Sequence, residues 1–228
     1  MSNGVLLAID TATRMPSIAL YGAEGLLGEQ TWRSGRNQSV EVLPSIDRLL
    51  ALASVTRQEL GAVAVAKGPG SFTGLRIGFS LAKGLCLALS LPIIAVPALE
   101  VSAYSAGDPG GPVVAIVEAG RRRIVVGVYA FADGLPQLQG ELSLHATDAW
   151  TPPIDQPLLI TGEVSPALAE RLLSLPEGDA LSLASPAGSV RRAGFLAELA
   201  WYRWQAGQVD DLDLLSPIYI QQPVSGTA

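Results

Sequence analysis

Short apolar runs, broken by glycine and acidic turns, fill the first third of the chain. Residues 5–10 read as a buried strand, and the turn Thr11-Ala12-Thr13-Arg14-Met15-Pro16 follows. Residues 17–21 and 26–32 flank Gly22-Ala23-Glu24-Gly25, which is hairpin punctuation. Over residues 40–53 the period changes: Val42, Ile46, Leu49 and Leu50 share one helical side, with Asp47 and Arg48 opposite. A strand at 62–66, a glycine-rich loop, a long helix to Ser90 and a strand at 93–96 complete this half.

The second half repeats that order. Residues 113–117 and 124–131 are strands on either side of the turn 118–121, and Asp133-Gly134 leads into a third strand around 138–144. Residues 158–161 form a further strand, and a helix starts near Ser165-Pro166, where a capping Ser precedes Pro. Setting Leu6-Leu7-Ala8-Ile9-Asp10 over Val113-Val114-Ala115-Ile116-Val117 gives two copies of one βββαβα plan. Gly107-Asp108-Pro109-Gly110-Gly111-Pro112 is the natural boundary, so an N-terminal lobe of residues 1–106 and a smaller C-terminal lobe of residues 107–228 are expected. A last helix over 189–207 precedes an acidic, partly extended tail over 210–223, free to return to the first lobe.

Composition adds a constraint on the surface. Hydrophobic residues make up 49% of the chain and charged residues 16%, and the mean hydropathy is +0.35. Either some apolar surface faces a partner, or the core is unusually rich in Ala and Leu. The longest apolar stretch, residues 79–99, is interrupted by Lys83, Pro92 and Pro97, which argues against a membrane span. The opening apolar run lacks a basic flank, and the single cysteine, Cys86, cannot form an internal disulfide, so a cytoplasmic protein without membrane contact is expected. The net charge is -6, which opposes a grip on RNA by the chain alone. Arg121-Arg122-Arg123 is the one basic spot, and it reads as a solvated turn.

Candidate chemistry is sparse. Gly68-Pro69-Gly70-Ser71-Phe72-Thr73-Gly74-Leu75-Arg76-Ile77-Gly78 joins a strand to a helix opened by Ser71 or Thr73. Such a loop either presents backbone N–H groups to an anion or is a tight turn that cannot hold a Cβ, and no Gly-Lys-Ser/Thr makes it a Walker loop. His145 is the only histidine, so no pair of ligand histidines or zinc-protease motif exists, and neither a metal nor a catalytic residue is expected. Cys86 sits among Leu85, Leu87, Ala88 and Leu89, the surroundings of a buried inert thiol rather than a nucleophile.

The helix that follows the loop is more apolar than one packing face requires. Arg76, Ser80, Lys83 and Ser90 form a narrow polar stripe, and nearly everything else is apolar or small. A second packing surface fits that excess, with Gly74, Gly78 and Ala82 allowing close helix approach; a helix sandwiched inside its own lobe fits it as well. The partner-interface candidates are Val42, Ile46, Leu49, Gly74, Gly78, Ala82 and Leu85.

The undecamer GPGSFTGLRIG resembles the signature of the tRNA threonylcarbamoyladenosine biosynthesis protein TsaB family, also called YeaZ and formerly grouped with M22-like glycoproteases. LAIDTAT at 7–13, VEVLPSIDRLL at 40–50, Lys83-Gly84-Leu85, Pro92-Ile93-Ile94-Ala95-Val96 and SPIYI at 216–220 continue the resemblance in order. The duplicated unit with a first strand ending in Asp-Thr is similar to the actin, Hsp70 and sugar-kinase superfamily. The resemblance implies a two-lobed actin-like α/β fold. It makes Asp10, Thr11 and Thr13 a vestigial nucleotide or phosphate loop, although Asp10 could equally cap its own turn. Gly68, Pro69, Gly70, Ser71, Phe72, Thr73 and Gly74 become the family's signature loop.

The implied function is that of a non-catalytic scaffold and activator in tRNA N6-threonylcarbamoyladenosine (t6A) synthesis, with no cofactor of its own. The implied partners are a TsaD-like catalytic paralogue and a TsaE-like ATPase, met through the helices, with a homodimer also open. Contact with tRNA would be indirect, and ATP or ADP would bind only in the assembled complex. The rival readings are an actin-fold phosphotransferase and a peptidase, the latter opposed by the missing histidines. Two departures stand out: Gln38 occupies a place where family members often carry His, and Glu118-Ala119-Gly120-Arg121 replaces the usual Asp-Ala-Arg turn.

Overall fold

Alternation along the strands decides which helices cover which side. The computed structural model describes residues 4–35 and 37–220. In β1 (Val5–Asp10), Leu7 and Ile9 point to one side and Leu6 and Ala8 to the other. In β4 (Leu60–Ala66), Val63 and Val65 oppose Ala62, Ala64 and Ala66 in the same way. With β2 (Ser17–Gly22), β3 (Gly25–Thr31) and β5 (Ile93–Val96) they form a sheet ordered β3-β2-β1-β4-β5, an antiparallel meander extended by two parallel strands.

The face with larger side chains is covered by α1 (Gln38–Leu52) and α2 (Phe72–Leu89). The alanine face lets α5 (Ala193–Gln205) come close, with Ala193, Ala197 and Ala200 against the sheet and the Trp204 ring lying on Gly61. Ser71 caps α2, its hydroxyl accepting the Gly74 N–H at 3.2 Å, and Ser90 ends the helix in the left-handed region at φ 55°. By length and composition alone α2 could cross a membrane, but its Leu75, Phe79, Ala82 and Cys86 are buried on the protein's own sheet.

The second sheet repeats the first. β6 (Val113–Glu118), β7 (Arg123–Ala132), β8 (Leu135–Leu138), β10 (Leu158–Gly162) and β11 (Leu181–Leu183) are ordered β11-β10-β6-β7-β8, with β9 (Ser143–Ala146) also paired to β7. One face packs on α4 (Pro166–Leu173), and the other on α3 (Ala98–Ala106). The layers therefore run α1/α2, first sheet, α3/α5, second sheet, α4.

Three details differ from the sequence reading. The single strand expected around 138–144 is two short strands, β8 and β9, on either side of the left-handed Gly140. The second copy lacks a counterpart of α1; residues 147–157 stand there instead, anchored by the buried Trp150. Packing also divides the chain differently from a cut at 107. Leu99 and Ala103 of α3 belong to the core of the second sheet, whereas α5 belongs to the first. The tail follows α5: Ala95 N–H donates to the Asp210 carboxylate at 2.7 Å, and Ile218 N–H to the Lys67 carbonyl at 2.7 Å. The expected tail continues to 223, and its residues beyond 220 lie outside those described.

Candidate functional site

β1 delivers Asp10, expected from the sequence as part of a vestigial phosphate loop, to a cleft between the sheets. Here the acid is already engaged. Arg191, in the loop before α5, donates its Nε to Asp10 Oδ2 at 2.5 Å and Nη2 to Oδ1 at 3.3 Å. Both side chains are almost wholly buried, at 4% and 2% exposed. Asp10 Oδ1 also accepts the Ala12 N–H at 2.9 Å. Burial would pull the Arg191 guanidinium down, but Asp10 and Glu163 hold it above its ordinary value. Breaking such a pair strands a buried charge, at a cost of several kcal/mol.

The two threonines also satisfy the protein itself. Thr11 Oγ1 donates to the Gly74 carbonyl at 2.7 Å, and Thr13 Oγ1 bonds to the carbonyl and amide of Met15 at 3.1 and 2.9 Å. The phosphate-loop residues thus do not fit a metal-bound nucleotide, because each of their side-chain polar groups is committed to the fold. Across the cleft, Glu163 Oε2 accepts the Glu118 N–H at 2.7 Å. Burial pushes the Glu163 carboxyl up from its ordinary value, opposed by the Arg191 charge. A cavity of about 900 Å³ opens here, bordered by Thr13, Ser71, Glu118, Gly162, Glu163 and Arg191.

The signature loop is a packing device first. Ser71 N–H donates to the Ala12 carbonyl at 2.7 Å, and a Cβ on Gly70 would meet that oxygen at 2.5 Å. A Cβ on Gly74 would collide with the Thr11 carbonyl, and one on Gly78 with the Thr11 hydroxyl. Gly68, at φ 91°, lies under the Ile218 carbonyl and the Leu75 side chain. Pro69 and Phe72 border a shallow cavity with the tail residues Ile218 and Tyr219, and Phe72 stacks with Tyr219 at 5.2 Å between ring centroids. The Thr73 side is exposed.

These contacts correct the expected interface. Gly74, Gly78 and Ala82 do permit close approach, but to Thr11 just after β1 and to the first sheet of the same chain. Val42, Ile46 and Leu49 are likewise in the core, at 5% exposed or less, and Leu85 is half-buried against it. The outward face is a different stripe: Phe72 and Leu87 are exposed, Ile77 and Leu81 half-exposed, and Gly84 meets no atom where its Cβ would be. Val40 and Leu43 of α1 are exposed, and Leu43 borders a groove of about 560 Å³ shared with Phe72, Ile77 and Leu81.

The family described as TsaD, tRNA N6-adenosine threonylcarbamoyltransferase, matches residues 27–148. The tRNA threonylcarbamoyladenosine biosynthesis protein TsaB of Bacillus subtilis is 38% identical over 130 residues, 57% of each chain. The Escherichia coli protein of that name is 36% identical over 116 residues, 50% of each chain. The solved YeaZ from Pseudomonas aeruginosa superposes with a TM-score of 0.81 at 26% identity, covering 95% of this chain and 100% of that one. The chain belongs to this family, on its TsaB branch. It spans about half the length of the curated relatives it matches. An activator of 2-hydroxyisocaproyl-CoA dehydratase from Clostridium difficile, solved with bound ADPNP, shares the fold at a TM-score of 0.51 and 9% identity.

Two positions gain a physical meaning within the family frame. Gln38 is buried and donates Nε2 to the Thr13 carbonyl at 2.6 Å, so it holds the turn after β1 in place. Cys86 donates to the Pro92 carbonyl at 3.7 Å, and burial pushes its thiol up to about 11. His145 lies on the other sheet, its ring bonded to Ser143 Oγ at 2.8 Å. The structure therefore does not bring Cys86 and His145 together. Arg191 and Glu163 are the charged residues that sequence reasoning missed.

Proposed function

We propose that this chain is a non-catalytic, cytoplasmic subunit in t6A synthesis that supports a catalytic paralogue of the TsaD type. The pairing of Asp10 with Arg191 carries the non-catalytic part of the reading. A buried acid held by two guanidinium bonds is a poor metal or phosphate ligand, which also disfavours a phosphotransferase. Membership of the TsaB branch supports the pathway.

In this proposal the paralogue docks on the outward stripe of α2 together with the exposed end of α1. Gly84 leaves room for a second helix to approach closely, and Leu43, Ile77, Leu81 and Leu87 supply apolar area around it. A TsaE-like ATPase would join that complex, and tRNA would be held mainly by the paralogue, because this chain carries a net charge of -6. A second copy of the chain could use the same stripe when the paralogue is absent.

Reconstitution tests the reading. The pure chain, incubated with L-threonine, bicarbonate, ATP, tRNA and the adenylate-forming enzyme, should leave tRNA unmodified. Adding the TsaD- and TsaE-like partners should restore t6A, and omitting this chain should reduce it. Modified tRNA made without the paralogue would overturn the non-catalytic assignment.

A further inference from the structure

The tight turn between β6 and β7 carries three consecutive arginines in an acidic protein. Gly120, Arg121 and Arg122 all adopt left-handed backbone, at φ 66°, 50° and 58°. This conformation is costly for residues with a Cβ. The turn borders a cavity of about 490 Å³, closed on its far side by α4 and by the segment after β9. Four arginines line this cavity: Arg121, Arg122, Arg123 and Arg171.

Three acids, Glu118, Asp148 and Glu163, share the cavity wall with these four arginines, so one positive charge is in excess. Among the described residues, only Arg122 of the four has a carboxylate within ion-pair distance, Asp148 at 3.2 Å, and both of those side chains are exposed. Arg123 Nε is buried and bonded to nothing. A buried donor without an acceptor costs about 1–3 kcal/mol. Arg171 is fixed in place, since its Nη2 donates to the Thr147 carbonyl at 2.9 Å and the Trp150 carbonyl at 2.5 Å. Those bonds orient the guanidinium without neutralising it. Of the acids, Asp148 is taken by Arg122, and Glu163 accepts the Glu118 N–H and is drawn to Arg191 outside the cavity wall. The N-terminal turn of α4, with Ser165 and Ala167 on the cavity wall, adds the positive end of a helix.

We infer that this cavity binds a terminal phosphate or diphosphate group, with Arg123 and Arg171 as its inner ligands and Arg121 at its mouth. Guanidinium groups bond carboxylate and phosphate oxygens alike, and several of them lining one cavity suit the larger charge of a phosphate group. Closure of the cavity by α4 and the segment after β9 favours a terminal group over a diester within an RNA chain. The inference goes beyond the proposed role in t6A synthesis and stands on different residues.

Calorimetric titration of the full chain with inorganic pyrophosphate tests it, alongside tRNA at the same ionic strength. Pyrophosphate should bind, and Arg123→Met should weaken it by about tenfold or more, the loss expected for a charged hydrogen bond. Arg57→Ser, which removes a guanidinium paired with Asp47 on the other lobe, should leave binding unchanged. Arg121→Gly is the second variant: it removes a guanidinium while relieving a left-handed backbone, so it should fold at least as well and still bind more weakly. No binding of pyrophosphate, equal losses in Arg57→Ser and Arg123→Met, or undiminished binding in Arg121→Gly would each overturn the inference. Tight binding of tRNA with none of pyrophosphate would overturn it too, since it would make the turn a diester contact.

Discussion

The Thr11 hydroxyl donates to the Gly74 carbonyl at 2.7 Å, tying the end of β1 to the first turn of α2 across 63 residues. The same threonine sits where a Cβ on Gly78 would go, so α2 can lie this close to the sheet only because Gly74 and Gly78 lack side chains. Gly78→Ala should therefore lower stability by about 1–3 kcal/mol despite the better helix propensity of Ala, a cost typical of overpacking. Thr11→Ala removes the obstructing oxygen. In that background Gly78→Ala should become neutral or favourable, and thermal melts of the four proteins should show strong non-additivity. Additive losses would mean that the hydroxyl is not the obstacle.

Arg191→Met should be among the most destabilising single changes in the chain, because it leaves the Asp10 carboxylate buried and unpaired. The expected loss is about 3–5 kcal/mol, read by urea unfolding. Adding Asp10→Asn should recover much of it, since a neutral amide can still accept the Ala12 N–H. A loss in the double variant as large as in Arg191→Met alone would show that the arginine matters by packing, not charge.

The duplicated strand order was legible from two matching apolar runs, and the inert surroundings of Cys86 from its neighbours. α3 was not. Its sequence ALEVSAYSA has little one-sided periodicity because Val101 packs on one sheet while Leu99 and Ala103 pack on the other. Arg191 lies in a loop and meets an acid 181 residues away, a contact that no local pattern encodes. The glycine stripe of α2 did announce a close approach, but spacing along one helix cannot say which neighbour comes near. The adjacent strand and a second chain leave the same mark.

Glu163 gives a pH signature. Burial raises its carboxyl above the ordinary 4.5, so the folded state binds its proton more tightly than the unfolded state. The favourable contribution of this group is full below 4.5 and is lost as pH rises through the raised folded value. Glu163→Gln keeps an acceptor for the Glu118 N–H without the charge. The variant should match the parent in stability below 4.5 and become the more stable of the two as pH rises above it. Melting temperatures across that range check the sign, and a gap that narrows with rising pH would contradict it.

Gly84 and Gly78 occupy different faces of the same helix, and the proposed partner surface makes opposite demands on them. A Cβ at Gly84 meets no atom of the chain, whereas at Gly78 it meets Thr11. Gly84→Arg should leave the free chain folded and even slightly more stable, because Arg is a better helix former than Gly by somewhat under about 1 kcal/mol. In a complex packed on this stripe, the same side chain would have to lose water without a counter-charge. Association with the TsaD-like paralogue, followed by light scattering, should then weaken severely while the melting curve of the free chain holds. Gly78→Arg should do the reverse and fail to give a stable soluble chain, since its side chain would be driven into Thr11 and Val65 of the same chain. If Gly84→Arg pairs as tightly as the parent, the outward stripe of α2 is not the docking surface, whatever the stability of either variant.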